Sequence, residues 1–156
     1  MEQITTSPLS MIVSEIEIAY KSKIKASEWL TVTSSKSVYD IFLATWNMNT
    51  IDLLEEFKIM LLNRHHKVLG ILPVSVGGFT GTVADPRVIF GAALKAACCS
   101  LVLAHNHPSQ NLQPSHADEE LTRRLIEAGK LFDIRVLDHL IITPNAYLSM
   151  ADEGLM

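Results

Sequence analysis

The sequence predicts one domain of the α/β or α+β sandwich class, in which helices cover a single mixed β-sheet. The chain has 156 residues, of which 48% are hydrophobic and 19% charged, as in an ordinary globular domain. Segments with strand and helix patterns alternate along it, and no internal repeat interrupts them. These observations favour a sandwich over a repeat protein or a disordered chain.

The first 50 residues predict a short N-terminal extension made of one strand and one helix. Residues 15–20 place two isoleucines and a tyrosine at alternate positions, which predicts a half-buried strand. Residues 34–46 begin with serines that can cap a helix and continue with apolar side chains at helical spacing. We expect this extension to precede a main domain at residues 51–156.

The main domain predicts an antiparallel pair of strands, a helix, a buried strand, a second helix and one or two further strands. Asp85 and Pro86 are a typical N-cap and first residue of a helix. Gly77, Gly78 and Gly81 are expected to supply turn conformations that other residues resist. The elements cover, in order, residues 56–63 and 66–77, 85–99, 100–105, 115–132, and 134–143.

The composition argues against two classes of function. A net charge of −4 and a pI near 5.8 disfavour direct binding to nucleic acid, and no apolar stretch is long enough to cross a membrane. The N-terminus lacks the pattern of a signal peptide. Cys98 and Cys99 are adjacent, which favours two buried, reduced thiols. We therefore expect a cytoplasmic protein.

Two histidines stand at the end of the predicted buried strand. His105 and His107 are two residues apart, so both imidazoles point to one side of the strand and can reach one ion. A chance pair of loop histidines is the alternative, and the spacing alone leaves both interpretations open.

Asp118 lies on the apolar stripe of the following helix, one turn before Leu121, and is predicted to point inward. A buried carboxylate needs a partner, and a cation held by the histidines would be one. Ser115 and Asp118 also match a capping box, which is an alternative role for both. His116 falls on the opposite side of the helix and is expected to face solvent.

Two adjacent carboxylates are candidates for a general base. Glu55 has the same strand parity as Phe57 and the apolar positions that follow it, so it is expected to point inward. Glu56 has the parity of Lys58, and that side is expected to meet water. The alternative is that both glutamates are solvated charges at the start of a strand.

The spacing of these residues resembles a known motif. His105-Asn106-His107 followed by Ser115-x-x-Asp118 gives H-x-H-x7-S-x-x-D, which is similar to the JAMM motif of the JAB/MPN metalloprotease-like superfamily. The flanking text "LAHNHPS", "PSHAD" and "IRVLDHLII" resembles the RadC-like branch. The similarity runs from about residue 55 to residue 155.

The resemblance implies a three-layer α/β/α, cytidine-deaminase-like sandwich around a mixed sheet, with one zinc ion (Zn²⁺). By analogy, His105, His107 and Asp118 would be the ligands, with a water in the fourth position. Glu55 would pass a proton from that water to the leaving amine. Ser115 would bond the oxyanion of the tetrahedral intermediate.

These residues lead to two functional hypotheses. The first is a zinc metallohydrolase of JAMM type that hydrolyses a peptide, isopeptide or other amide bond in an unknown peptide or protein substrate. The second is a non-catalytic or DNA-repair-associated interaction module with a structural zinc. The sequence assigns no oligomeric state.

The chain departs from the RadC-like pattern in one loop. Gln110 stands where the family usually has glycine, and we expect Asn111 to let the loop accommodate it. Asp138 and His139 belong to the matched text, and we expect them to bond neighbouring backbone or to orient a ligand.

Overall fold

A computed structural model describes residues 13–14, 16–78 and 81–156 of the chain. In these residues a five-stranded sheet is combined with three α-helices and a short 3-10 turn, Ala26–Glu28. The elements are α1 (Ser35–Thr45), β1 (Glu56–Leu62), β2 (Val68–Val76), α2 (Pro86–Lys95), β3 (Ser100–Asn106), α3 (His116–Lys130), β4 (Arg135–Ile142) and β5 (Tyr147–Ser149).

The sheet is mixed, with the strand order β2-β1-β3-β4-β5. The β3–β4 pair is parallel and the other three pairs are antiparallel. A parallel pair needs a crossover connection, and α3 supplies it between β3 and β4. The central strand β3 is buried along its whole length, as its continuous apolar sequence predicts.

Each face of the sheet packs against helices and forms its own core. Successive side chains along β1 and β3 point to opposite faces of the sheet. One set therefore packs against α2 and α3, and the other set packs against α1. The molecule is therefore a three-layer α/β/α sandwich, which confirms the predicted fold class. The first core includes Phe57, Ile59, Leu61, Ile89, Phe90, Leu101, Leu103 and Leu125, and the second Val38, Tyr39, Phe42, Met60, Leu62, Val102, Leu140 and Ile142.

Helix α1 forms one outer layer of this sandwich. Ser34 caps it by accepting a hydrogen bond from the backbone N–H of Ser37, as its position in the sequence predicts. Tyr39 stacks on Tyr147 with ring centroids 4.7 Å apart and donates a hydrogen bond to the carbonyl of Thr143. The helix thus covers β4 and β5, while the division of the chain at residue 50 stays a prediction.

The predicted strand at residues 15–20 is not formed. Residues 16–20 have no strand partner, and the side chains of Ile16 and Ile18 are 93% and 82% exposed; Glu15 and residues 1–12 of the predicted extension lie outside the described residues. The edge near the β1–β2 turn is instead paired with residues 30–32. Alternation predicts an amphipathic strand, but it cannot say whether a sheet edge is free to receive it.

The predicted helix at residues 85–99 starts at its expected cap but ends four residues early, at Lys95. Ala97 has a φ of 51°, a left-handed conformation that terminates the helix. The chain then turns into β3, so that Cys98 is buried and Cys99 is exposed. The prediction of two buried thiols is correct for Cys98 and wrong for Cys99, because only Cys98 packs into the core between the sheet and helices α2 and α3. Burial raises the pKa of Cys98 to about 11.

None of the helices in the described ranges combines the length and apolar character needed to cross a bilayer.

Candidate metal centre

The two histidines lie side by side at the end of β3. His105 is 1% exposed and belongs to the face that packs on α2 and α3, where its ring lies parallel to that of Phe57. His107 follows on the same side, and its Nε2 is 2.9 Å from the Nε2 of His105. The period of two therefore brings both imidazoles to one point, as the sequence predicts.

Asp118 completes a cluster with these histidines. It lies in the first turn of α3, and its Oδ1 is 3.4 Å from His105 Nε2 while its Oδ2 is 3.8 Å from His107 Nε2. The three ligand atoms all lie within 4.8 Å of one another. Burial alone would raise the pKa of Asp118, but hydrogen bonds and charge from His105, with hydrogen bonds from Ser115, hold it well below its usual range.

Asp118 is at the same time part of the cap of α3. The backbone N–H and the hydroxyl of Ser115 both donate to Asp118 Oδ2 at 2.7 Å, and the backbone N–H of Asp118 donates to Ser115 Oγ at 3.2 Å. The capping box and the metal cluster thus share one carboxylate. The hydroxyl proton of Ser115 is engaged by that carboxylate, so an oxyanion role for Ser115 requires the hydroxyl to rotate and stays a prediction. His116 is exposed, as predicted.

Glu55 lies in the same cleft as His107 and Asp118, a concavity of about 540 Å³. Its backbone extends the pairing between β1 and β2. Gly77 N–H donates to the carbonyl of Glu55 at 2.7 Å, and Glu55 N–H donates to the carbonyl of Gly78 at 3.1 Å. Burial raises the pKa of Glu55, while the nearby histidines oppose that rise. The carboxylate is thus half-buried beside the cluster, on the face that strand parity assigns to it.

Gly77, the first of the glycines that follow β2, is required by a close backbone approach rather than by a special backbone conformation. Gly77 has no positive φ, but a Cβ there would lie 1.9 Å from the carbonyl oxygen of Gly81. That oxygen also accepts a hydrogen bond from the N–H of Gly78. The expected turn role of Gly77 is therefore corrected, because a side chain there would displace the wall of the cleft next to Glu55, while the roles of Gly78 and Gly81 stay predictions.

Glu56 points to the opposite face and pairs with Lys58. Its Oε2 is 3.3 Å from Lys58 Nζ, which also donates to the carbonyl of Thr45 and lies 4.2 Å above the ring of Trp46. Lys58 is only 4% exposed, so the expectation that this side meets water is wrong. The ion pair is buried under α1, which separates Glu56 from the histidine cluster.

The second nitrogen of each histidine ring has its own partner. His107 Nδ1 bonds the carbonyl of Asn111, and His105 Nδ1 is 2.8 Å from His139 Nε2. His139 is fully buried, which lowers its pKa well below its ordinary value and leaves the ring neutral. Asp138 accepts hydrogen bonds from the backbone N–H of His139 and from Ser149 Oγ. The pair therefore bonds neighbouring backbone, as expected, and also contacts the candidate ligand His105, while its role in orienting that ligand stays a prediction.

The loop after the histidines differs from the expectation. Gln110 itself adopts the left-handed conformation, with a φ of 61°, and its Nε2 donates to Asp52 Oδ1 at 3.2 Å. Asn111 has no positive φ, and its carbonyl accepts a hydrogen bond from His107 Nδ1. A glycine at position 110 would adopt the same φ without a steric cost.

Two buried polar residues near the cluster were not predicted. Asn106 is fully buried and bonds the segment before β1, and Thr122 is 1% exposed and bonds His139. Thr122 lies one turn after Asp118 on the inward stripe of α3, and this position is the signal that could have found it. Asn106 gives a weaker signal, since only its place between two candidate ligands marks it.

The donor atoms of the cluster fit a zinc ion. Two imidazole nitrogens and one carboxylate are a ligand set that zinc accepts, with one position left for water or substrate. The rings of His105 and His107 are each bonded at Nδ1, so that Nε2 is the atom directed at the cluster. His105, His107 and Asp118 are therefore the residues that could hold the ion.

Comparisons with known proteins identify the family of this chain. A family model described as RadC-like JAB domain matches residues 32–155. A UPF0758 protein of Flavobacterium johnsoniae is 44% identical over 101 residues, which are 65% of this chain and 44% of the relative. The UPF0758 protein tlr1707 of Thermosynechococcus vestitus is 45% identical over 98 residues, or 63% and 39% of the two chains. The chain spans less than half the length of these relatives. Because the family model covers most of it, the chain belongs to the RadC-like JAB domain family.

Proposed function

We propose that this protein is a zinc-dependent hydrolase that cleaves a peptide, isopeptide or other amide bond. The observation that carries the proposal is one shared cleft, in which the Glu55 carboxylate stands beside the cluster of His105, His107 and Asp118. A carboxylate that can exchange protons next to a cation site is the arrangement that metal-assisted hydrolysis requires. The JAB family membership supports the same class of reaction.

The zinc ion, when bound by His105, His107 and Asp118, would act as a Lewis acid that polarises the substrate carbonyl and acidifies a water molecule. Glu55 is the group that takes a proton from the attacking water. Its half-buried position raises its pKa, which makes the protonated form easier to reach in the second half of the reaction. Glu55 then donates that proton to the leaving nitrogen, so the carboxylate is ionised again after each turnover.

Ser115 stands at the mouth of the same cleft and is the candidate donor to the oxyanion. Its hydroxyl bonds Asp118 Oδ2 in the structure, and rotation about the Cβ–Oγ bond would turn the proton toward a substrate oxygen. The backbone N–H of Ser115 would still hold the carboxylate of Asp118 during that rotation. The cap therefore keeps the ligand in place while the hydroxyl is free to move.

The proposal is tested first by metal content. Purified protein incubated with Zn²⁺ and desalted should retain about one zinc per chain by mass spectrometry, and His107→Ala should lose it. His116→Ala is the matched control, because that histidine is exposed and points away from the cluster. A wild-type protein that retains no zinc at neutral pH would overturn the proposal.

Catalysis is tested separately with Glu55→Gln and a library of peptides and isopeptides. The variant should bind zinc as the wild type does and lose hydrolysis by a factor of about 100 or more. The alternative is favoured if two results occur together. Wild type and Glu55→Gln both bind zinc but cleave no member of the library, and Glu55→Gln fully restores the cellular phenotype of a strain in which the gene is deleted. That alternative is an interaction module, associated with DNA repair or otherwise non-catalytic, in which zinc is structural.

A further inference from the structure

A chain of hydrogen bonds runs from helix α3 to the metal-facing ring of His105. The hydroxyl of Thr122 is 2.6 Å from the main-chain carbonyl of Asp118 and 2.6 Å from His139 Nδ1. His139 Nε2 is 2.8 Å from His105 Nδ1. The side chains of Thr122, His139 and His105 are at most 1% exposed, so water offers no other partners along this path.

The direction of each hydrogen bond follows from what each group can donate. A threonine hydroxyl has one proton, and the carbonyl of Asp118 can only accept. Thr122 therefore donates its hydroxyl proton to that carbonyl. The sulfur of Met150, 3.8 Å from Thr122 Oγ1, is a weaker and more distant acceptor. The hydroxyl oxygen must therefore accept a proton from His139 Nδ1.

The direction of the hydrogen bonds between the two imidazoles follows in the same way. A neutral imidazole carries one N–H, so a His139 ring that donates from Nδ1 has an unprotonated Nε2. That nitrogen can only accept, and the donor is His105 Nδ1. With Nδ1–H as the donor to His139, Nε2 of His105, 2.9 Å from the Nε2 of His107, is the nitrogen that has the lone pair whenever the ring is neutral. The carbonyl of Asn111 fixes His107 in the same way, so Nε2 is the atom of each ring that can bind a cation.

We propose that Thr122 is a positioning residue for metal binding, which sets the tautomer of His105 through His139 and so keeps the Nε2 lone pair available to a cation. The inference rests on the proposed zinc site, and it extends that site to a residue that touches neither metal nor substrate. Thr122 follows Asp118 by one helical turn. Helix α3 thus supplies the ligand Asp118 directly. It also sets the protonation site of a second ligand, His105, through the tautomer chain, which is the hydrogen-bonded series Thr122–His139–His105.

Removal of the Thr122 hydroxyl should reverse the tautomers. In Thr122→Val the side chain keeps its shape, but His139 Nδ1–H would be buried without an acceptor. His139 would move its proton to Nε2 and donate to His105 Nδ1. His105 would then carry its proton on Nε2, the atom that faces the cluster, and a metal ion could bind only after displacing it.

The experiment combines imidazole NMR with zinc binding on the full chain. Long-range ¹H–¹⁵N spectra of the metal-free protein report directly which ring nitrogen carries the proton. Zn²⁺ affinity is measured by competition with a chromophoric chelator for wild type, Thr122→Val, Thr122→Ser and Thr143→Val. Thr143 is the matched control, because it is a buried threonine that also bonds a backbone carbonyl but touches no histidine.

We expect Nδ1–H on both His105 and His139 in the wild type and in Thr122→Ser. In Thr122→Val both should change to Nε2–H, with a loss of roughly 10- to 100-fold in Zn²⁺ affinity. Thr143→Val should lower stability and leave tautomers and affinity unchanged. An Nε2–H tautomer of His139 in the wild type, or wild-type affinity in a folded Thr122→Val, overturns the inference. If the wild type binds no Zn²⁺ but shows the expected tautomers, the proposed function fails while the tautomer chain stands.

Discussion

The side chain of Asn106 accepts a hydrogen bond from the backbone N–H of Glu56 at a distance of 2.7 Å. Its amide nitrogen donates to the carbonyls of Ile51 and Leu54 at 2.6 and 2.8 Å. Asn106 lies between the two histidines in sequence but faces α1, on the opposite side of the sheet. The C-terminal end of β3 therefore presents the candidate ligands on one face of the sheet. Through Asn106, on the other face, it also fixes the backbone that carries Glu55.

The first prediction concerns this link. Asn106→Ala should lower the free energy of unfolding by about 3 kcal/mol or more, because three buried or half-buried backbone groups lose their partners. Urea denaturation measures the loss, and hydrogen exchange should accelerate at the amide of Glu56. Asn63→Ala is the control: Asn63 bonds backbone N–H groups in an exposed turn, where water replaces it, so about 1 kcal/mol or less is expected. Equal losses for the two variants would contradict the assigned role.

The second prediction separates the two roles of Ser115. Ser115→Ala and Ser34→Ala each remove an N-cap hydroxyl within a capping box and should each cost about 1 kcal/mol of stability. Only Ser115 bonds the candidate ligand Asp118, so only Ser115→Ala should weaken zinc binding, by up to roughly tenfold. Thermal unfolding and chelator competition provide the two measurements. Identical zinc affinities in both variants would show that the bond from Ser115 does not support the metal site.

Local signals in the sequence predicted the parts of the fold that depend on neighbouring residues. Ser34, Asp85 and Ser115 each cap the helix that follows them, because an N-cap acts within three residues of itself. The inward direction of Asp118 also followed from helical spacing alone. The cluster of His105, His107 and Asp118 was therefore predictable before any contact between strands and helices was known.

Features that depend on distant partners were not predicted. Lys58 is buried because Glu56, Thr45 and Trp46 surround it, and two of these come from another layer of the sandwich. The segment at residues 16–20 has the pattern of a strand but pairs with no strand of the sheet. Strand β5 was missed because three residues carry too little periodicity to be recognised. The tautomer chain through Thr122 likewise joins three elements that only the fold brings together.

The third prediction concerns the left-handed residue of the histidine loop. Gln110→Gly should raise the free energy of unfolding by up to about 1 kcal/mol, because glycine adopts a φ of 61° without steric cost. The exposed bond to Asp52 is lost, but water replaces it at little cost. Ala97→Gly, which relieves the same conformation far from the site, should stabilise by a similar amount. Chemical denaturation measures both, and a loss of stability confined to Gln110→Gly would mean that the Asp52 bond outweighs the backbone strain.

The last prediction uses the half-buried carboxylate of Glu55. Burial raises its pKa in the folded protein, so the ionised form opposes folding once the pH exceeds the unfolded-state pKa. In metal-free protein, Glu55→Gln should therefore match the wild type at about pH 4, where the side chain is largely protonated in both states, and become more stable than it as the pH rises to about 7. We expect a gain below about 1 kcal/mol, since the group is partly screened by solvent.

Urea denaturation at the two pH values, with a chelator present, measures this gain. Glu153→Gln is the control, because its exposed carboxylate should give the same small difference from wild type at both. A Glu55→Gln protein that is less stable than the wild type at about pH 7 would show that the charge of Glu55 is favourable in the folded state. The predicted sign instead makes Glu55 a residue whose ionised form costs stability in the absence of metal, as expected for a carboxylate placed to exchange protons rather than to hold the fold together.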